Sequence, residues 1–174
     1  MGLPANTTTG PSSAPNAADP MSRPIPSSAT DLPPEALALA AKLFDLARAG
    51  DTAALIPYLS AGLPPNLTNH SGDTLLMLAA YHGHTDTVQA LIGKGADVNA
   101  VNGRGQSPLA GAVFKGHEGV VGALVEAGAD AEKGQPNAKD TAVMFKKEEW
   151  FGLLGVEEGR TVPGMVPTAR PGGA

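Results

Sequence analysis

Residues 72–98 read GDTLLMLAAYHGHTDTVQALIGKGADV, and residues 105–131 read GQSPLAGAVFKGHEGVVGALVEAGADA. The landmarks of the two segments lie at a constant offset, as Gly83 and Gly116 show (116 − 83 = 33). A fixed period in this range indicates a stacked array, in which each unit buries its apolar face against its neighbours. Arrays of this kind more often bind partners than catalyse reactions, because their shared residues are used to build the stack.

Each copy predicts two short helices joined by a glycine turn. Thr74 and Ser107 are suitable N-caps, because a hydroxyl oxygen can accept a hydrogen bond from a free backbone N–H at a helix start. Gly83 and Gly116 permit a tight turn, since glycine adopts a positive φ with little strain. The second helices carry apolar residues at helical spacing and should bury a stripe. The Asn-Gly dipeptide at 102–103 is typical of a hairpin tip.

The 33-residue period with T-x-L-x-L-A-A, G-H, V-x-x-L-I and G-A-D-V-N resembles the ankyrin repeat. The family motif T-P-L-H-x-A is partly kept, and Met77 and Ala110 replace its histidine. The whole chain also resembles small microbial and fungal ankyrin proteins with few repeats. The resemblance covers about residues 35–154 and implies an all-α ankyrin-repeat solenoid of helix-turn-helix units with β-hairpin-like fingers.

The composition divides the chain into a central repeat domain and two tails. Residues 1–30 are rich in Pro, Ser and Thr and show no apolar periodicity, and residues 156–174 have the same character. Such segments bury too little apolar surface to offset their conformational entropy, so we expect both tails to be disordered. Residues 31–155 form the predicted domain, with units at about 35–68, 69–101 and 102–134 and a partial cap at 137–154.

The first and last units are predicted to be modified as ends of the array. In the first unit, Lys42 and Asp45 stand where the second unit has leucines, as expected for a polar outer face. Continuing the period from Ser107 places Asp140 at the start of the fourth unit and predicts a helix over 140–146. A shortened helix over 148–154 would follow, and its bulky apolar residues, Trp150 above all, would seal the stack.

The charge and composition exclude several classes of partner. The chain has 174 residues, a net charge of −5 and a pI near 5.3, which disfavours binding to nucleic acid or to an anionic membrane. It has no cysteine, which excludes disulfides and cysteine-ligated metals. No run approaches the roughly 20 apolar residues of a membrane helix. We expect a monomer in the cytoplasm, or in the nucleus of a eukaryotic cell.

In proteins that resemble this one, partners bind the concave side formed by the finger tips and the exposed face of the first helices. Tyr81 and Phe114 take the same position in successive copies, and exposed aromatics near an arginine are common interface anchors. The alternative is that these rings lie flat over the next helix as peripheral core. By motif position, the predicted surface comprises Arg48, His70, Ser71, Asp73, Tyr81, His82, Gly103, Arg104, Gln106, Phe114 and Lys115.

The leading hypothesis is a non-catalytic module that binds a partner protein, and two alternatives stay open. One is a dedicated inhibitor or assembly chaperone of a single enzyme or complex. The other is a metal protein or enzyme that uses His82, His84 and His70, although their spacing is weak for zinc. No nucleophile–base set, P-loop or dinucleotide fingerprint is visible, so no catalytic residue, cofactor or metal is predicted. Asn66 and Asn99 are interpreted as structural ties of the finger loops.

Overall fold

The computed structural model describes residues 34–162, which contain eight α-helices and one short 3₁₀ helix. The predicted N-terminal tail, residues 31–33 of the predicted domain and residues 163–174 lie outside this range. The α-helices are α1 Pro34–Ala49, α2 Thr52–Ser60, α3 Leu75–His82, α4 Thr85–Gly93, α5 Pro108–Lys115, α6 Glu118–Glu126, α7 Ala138–Met144 and α8 Phe151–Leu154, and the 3₁₀ helix is Glu148–Trp150.

The helices stack in two rows. The inner row consists of α1, α3, α5 and α7, and each of these helices packs against the next. The outer row consists of α2, α4 and α6, which pack on one another and on the inner helix of their own unit. This two-layer arrangement is the helical solenoid that the sequence predicts.

The predicted caps and turns of the central units are confirmed. Thr74 Oγ1 accepts a hydrogen bond from the N–H of Met77, and Ser107 Oγ accepts one from the N–H of Ala110. Gly83 has φ +83 and ends α3, and the next unit repeats this geometry at the end of α5. Because only glycine takes this conformation without strain, the turn residue sets the angle at which each outer helix returns.

The core is built from leucine, valine and alanine. In α3 every residue from Leu75 to Ala80 is buried, so that this helix is packed on almost all sides. Ala79, Ala80 and Ala112 are fully buried, and their small side chains let neighbouring inner helices approach closely. By contrast, Lys42 and Asp45 of α1 are exposed, as predicted for the end of the array.

Two kinds of side chain tie each unit to the next at a fixed spacing. His84 Nε2 lies 2.7 Å from the carbonyl oxygen of Arg48, and His117 Nε2 lies 3.2 Å from that of Tyr81. In the loops, Asn66 Oδ1 accepts a hydrogen bond from the N–H of Asp97 at 2.8 Å. Asn99 repeats this bond with the N–H of Asp130, also at 2.8 Å. The asparagines are therefore structural ties, as interpreted from the sequence.

The fingers are hairpin-like loops. Thr68 and Thr74 form an isolated antiparallel bridge at the base of one finger, and residues 34–162 contain no longer strand. The N–H of Gly103 donates to the carbonyl oxygen of Ser71 at 2.9 Å, which joins two successive fingers. The N–H of Gln135 donates to the carbonyl oxygen of Gly105 at 2.7 Å and extends this row to the cap.

The predicted register of the fourth unit is wrong, by two residues for the bounds of its first helix and by three for the residue at the N-cap position. Its first helix, α7, begins at Ala138 and ends at Met144, whereas the period of 33 predicts a helix over 140–146. The N-cap is Asn137, whose Oδ1 accepts a hydrogen bond from the N–H of Asp140. Asn137 follows Ser107 by 30 residues (137 − 107 = 30), because the finger between them is shorter.

The described chain continues past the predicted end of the domain at residue 155. Arg160 donates hydrogen bonds from Nε to Asp140 at 2.9 Å and from its terminal nitrogens to Glu132 at 3.0 and 3.2 Å. Residues 156–162, predicted as the start of a loose tail, therefore lie against the cap and the finger before it.

Candidate partner-binding groove

A groove of about 470 Å³ lies between the exposed ends of the inner helices and the fingers. Residues from α1 to α7 line it, so that it crosses every unit of the described array. We call it the concave groove. The predicted residues that line it are Arg48, Asp73, Tyr81, His82, Arg104, Gln106 and Phe114.

Three aromatic side chains dominate the exposed apolar surface of the concave groove. Tyr81, Phe114 and Phe145 are 38%, 43% and 46% exposed, and they come from α3, α5 and the end of α7. The rings of Phe114 and Phe145 meet edge to face with centroids 4.8 Å apart. An aromatic row this exposed is more typical of an interface than of a finished core.

The alternative reading of Tyr81 is partly right. A Cβ atom at Gly111 would lie 3.5 Å from Tyr81 Cδ2, so the ring lies beside α5 in the next unit. More than a third of the side chain nevertheless stays accessible. Because residue 111 is glycine, the floor of the concave groove is open beside the tyrosine ring.

Cationic groups border the aromatic row. Lys115 Nζ lies 4.6 Å from the ring centroid of Tyr81 and 5.9 Å from that of Phe114, within the range of cation–π attraction. Arg104 lines the concave groove and is exposed. Arg48 forms an ion pair of 2.7 Å with Asp45 on the surface, where such pairs contribute little to stability.

His82 contributes a neutral imidazole to this surface. Partial desolvation lowers the pKa of His82 below its ordinary value, and electrostatic interactions with neighbours including His84, Arg48 and Lys115 lower it further. At neutral pH the positive charge of the concave groove therefore comes from its arginines and from Lys115.

Asp73 joins two successive fingers, and Gln106 stabilises its own finger. Asp73 Oδ1 accepts a hydrogen bond from Asn102 Nδ2 at 2.8 Å, and Asp73 Oδ2 accepts one from Asn69 Nδ2 at 3.2 Å. Asn102 Oδ1 accepts from the N–H groups of Arg104 and Gln106, each at 3.0 Å. Asp73 and Gln106 both line the concave groove, and these hydrogen bonds give them a structural role as well.

His70 lies apart from the concave groove. Together with Ser71, Gly103 and Arg104 it lines a separate open cleft of about 630 Å³ at the finger tips. Arg104 borders both clefts and joins them. The predicted surface is therefore divided, since most of its residues line the concave groove and the others, His70, Ser71, Gly103 and Lys115, do not.

A sequence model described as "Ankyrin repeats (3 copies)" matches residues 37–135, more than half of the chain. This chain belongs to the ankyrin-repeat family. An ankyrin repeat protein of Pseudomonas aeruginosa is 65% identical to it over 48 residues, which are 28% of each of the two proteins. The crystal structure of the human ASB11 ankyrin repeat domain matches with a TM-score of 0.58 and 30% identity, over 64% of this chain and 52% of that one. The chain thus spans little more than half the length of the human domain and far less of the bacterial relative.

Several lining residues of this ankyrin-repeat protein were missed by sequence reasoning. They are apolar or uncharged residues of the inner row and the last finger, namely Met77, Leu78, Ala110, Pro136, Thr141, Met144 and Phe145. The wrong register of α7 concealed Phe145, since it fell outside the predicted concave positions. A search for N-caps would have corrected this, because Asn137 is followed by the acidic first turn of α7.

His84 and His117 of this ankyrin-repeat protein contact the preceding unit. The rings of His82 and His84 stack with centroids 6.3 Å apart, and His84 Nε2 is engaged by the carbonyl oxygen of Arg48. Among residues 34–162, no three His, Cys, Asp or Glu side chains are grouped so that they could hold a metal ion.

Proposed function

We propose that this chain is a non-catalytic interaction module that binds a partner protein in the concave groove. Ankyrin repeats generally serve protein–protein interaction, and the family supports this class of function. The observation that carries the proposal is the row of exposed aromatic side chains, Tyr81, Phe114 and Phe145, in one groove.

The distribution of aromatic residues favours this proposal. The whole chain has one Trp, two Tyr and four Phe, so aromatic residues are scarce. Three of them are exposed along the concave groove, although burial in the core would be favourable for such large side chains. Aromatic residues beside arginine are enriched among the residues that contribute most to protein interfaces.

The same surface would serve a general adaptor or a dedicated inhibitor or chaperone, which differ in the partner and not in the groove. Non-catalytic function is typical of the family, and the proposal extends it to this chain. Within residues 34–162, no helix has the length and apolar character needed to cross a bilayer. A cytoplasmic location and a monomeric state stay predictions.

The proposal is tested by replacing Tyr81 and Phe114 together with alanine in the full-length protein. Both side chains are exposed, so we expect the melting temperature to stay close to that of the wild type. Capture of stoichiometric partners from a lysate of the source cells, quantified by mass spectrometry, should fall by at least about tenfold.

The matched control replaces Leu37 and Leu153 with alanine. These side chains are also exposed and apolar, and neither lines the concave groove. This control should capture partners as the wild type does. Unchanged capture by the Tyr81→Ala/Phe114→Ala variant would show that the concave groove is not the binding surface.

A further inference from the structure

We propose that the concave groove recognises an acidic peptide segment that carries an aromatic or large aliphatic anchor. This inference rests on the proposed function and adds the chemistry of the partner. It is carried by the distribution of charge over the two rows of helices and by the apolar floor of the concave groove.

The charged side chains at the concave groove are mainly cationic. Arg48 and Arg104 line it, and Lys115 lies against the rings of two lining residues. Asp73 is the one carboxylate among the lining residues, and the side-chain amides of Asn69 and Asn102 already donate to its two oxygens.

Two of these cations are not neutralised by a carboxylate of residues 34–162. Within the described range 34–162, neither Arg104 nor Lys115 forms an ion pair. Both side chains are exposed, so that a carboxylate of a bound segment could reach them. A charge-assisted hydrogen bond to such a carboxylate is shorter and stronger than a bond between neutral groups.

The outer row has the opposite charge. Asp86 lies in α4 and Glu118 and Glu126 lie in α6, and neither helix contains a lysine or arginine. The whole chain carries a net charge of −5, so the cationic groove is an exception on an acidic protein. An acidic segment is therefore repelled by the outer face and attracted to the concave groove, which favours both orientation and rate of association.

The floor of the concave groove suits an apolar anchor between the acidic residues. Met77 and Met144 contribute flexible thioether side chains, which adapt to the shape of a bound group. Gly111 has no side chain and leaves space beside Tyr81, although glycine is disfavoured inside a helix. An inserted apolar group would contact the exposed parts of Tyr81 and Phe114, and carboxylates on either side of it would meet the cations.

Three cations are too few to bind a polyanion through its phosphates alone. Affinity for a nucleic-acid backbone grows with the number of phosphates neutralised, and this chain is acidic overall. The exposed aromatic row would also be unused by a contact that depends only on charge. The combined surface therefore favours a peptide with both carboxylates and an apolar anchor.

The inference is tested by selecting a display library of random 12-residue peptides on the immobilised full-length protein. We expect the recovered sequences to be enriched in Asp and Glu next to an aromatic or large aliphatic residue. Selection on an Arg104→Glu/Lys115→Glu variant should reverse this preference and enrich Lys and Arg.

A matched control is the Lys42→Glu/Lys94→Glu variant, which makes the same change of charge away from the concave groove. Both lysines are exposed, and neither lines the groove. Selection on this control should keep the acidic preference, and a synthetic peptide of the enriched sequence should bind it as it binds the wild type. The same peptide should bind Arg104→Glu/Lys115→Glu at least about tenfold more weakly. Melting temperatures confirm that each variant is folded.

The outcomes separate the inference from the proposed function. If recovered peptides depend on Tyr81 and Phe114 but show no acidic enrichment, the inference is overturned and the proposed function stands. If their binding is unaffected by Tyr81→Ala/Phe114→Ala, the concave groove is not the binding surface and both are overturned. A selection that recovers no peptide overturns the inference.

Discussion

Two junctions of this solenoid are built from different contacts. The central junction joins residues 69–101 to residues 102–134, and the terminal junction joins residues 102–134 to the cap at 137–154. At the central junction, His117 Nε2 contacts the carbonyl oxygen of Tyr81, and Asn99 Oδ1 accepts a hydrogen bond from the N–H of Asp130. These bonds are directed at the backbone, so any unit with the same backbone can take part in them.

The terminal junction replaces these contacts with side-chain pairs. Lys147 takes the place of the histidine, and its Nζ lies 3.3 Å from where a Cβ atom of Gly116 would be. Arg160 joins Asp140 to Glu132, and Trp150 is buried as part of the core. Interior units are therefore held by contacts that repeat from unit to unit, whereas the end of the array is closed by contacts that occur once.

Replacing Trp150 with alanine should have the largest effect on stability. The buried indole closes the core below the cap, and such truncations reduce the free energy of unfolding by about 3–5 kcal/mol. Urea denaturation measures this loss. Leu153→Ala is the control, because Leu153 belongs to the same cap but is exposed. A loss of less than about 1 kcal/mol for Trp150→Ala, as at surface positions, would show that the third unit does not depend on the cap.

Replacing Gly83 with alanine should destabilise the central junction. Gly83 has φ +83, and a Cβ atom there would lie 2.7 Å from the ring of His117. Gly95→Ala is the control, since Gly95 has φ +85 but no atom of the described residues within 4 Å of an added Cβ. The control should lose about 1–2 kcal/mol from backbone strain alone. Gly83→Ala should lose at least about 1 kcal/mol more, because the histidine must move. Equal losses in thermal unfolding would argue against a tight histidine contact.

Two glycines of α6 should respond in opposite directions to alanine. A Cβ atom at Gly119 would lie 2.8 Å from Thr85 Oγ1 across the central junction, whereas one at Gly122 would meet nothing within 4 Å. We expect Gly122→Ala to raise the free energy of unfolding by roughly 0.5–1 kcal/mol through helix propensity. Gly119→Ala should lower it, because the added Cβ atom forces Thr85 to move. If both variants were stabilised alike, the outer helices would not be closely packed.

The smallest effect concerns the ion pairs of the terminal junction. Hydrogen bonds from Lys139 and Arg160 hold the pKa of Glu132 below its ordinary value. A carboxylate with a lowered pKa contributes stability above its unfolded pKa and loses that contribution as the pH falls through its folded pKa. Glu132→Gln should therefore lower the melting temperature slightly at neutral pH and match the wild type in strong acid.

Glu126→Gln is the control for this pH dependence, because Glu126 is exposed and forms no ion pair within residues 34–162. Its melting temperature should follow the wild type throughout the titration. A difference between Glu132→Gln and the wild type that persisted in strong acid, below the lowered pKa of Glu132, would rule out the charge as its cause.

Much of the fold could be predicted because its landmarks are local. Thr74 and Ser107 show where inner helices begin, and Gly83 and Gly116 show where they end. The register of α7 could not be obtained by continuing the period, since the last finger is shorter and its length leaves no periodic signal. At the end of α7, Lys146 adopts φ +52 where the central units have glycine, so this landmark was hidden too.

Residues of the concave groove could be predicted where they occupy equivalent positions in successive repeats. Residues that reach the groove only through the three-dimensional arrangement of the chain could not. Tyr81 and Phe114 share a repeat position, and both line the concave groove. Phe145 joins them only because the shortened finger shifts α7. The structural role of Asp73 depends on its hydrogen bond with Asn102, which lies 29 residues away in the next finger. No sequence motif links these two positions.

The most direct test of binding in the concave groove follows the amide signals of the ¹⁵N-labelled full-length protein by NMR during titration with an enriched acidic peptide. Binding there predicts that the largest chemical-shift changes fall on the exposed ends of α3 and α5, on residues 102–106 and on the end of α7. Changes concentrated on α4 and α6 would contradict it, because they would place the binding surface on the acidic outer row.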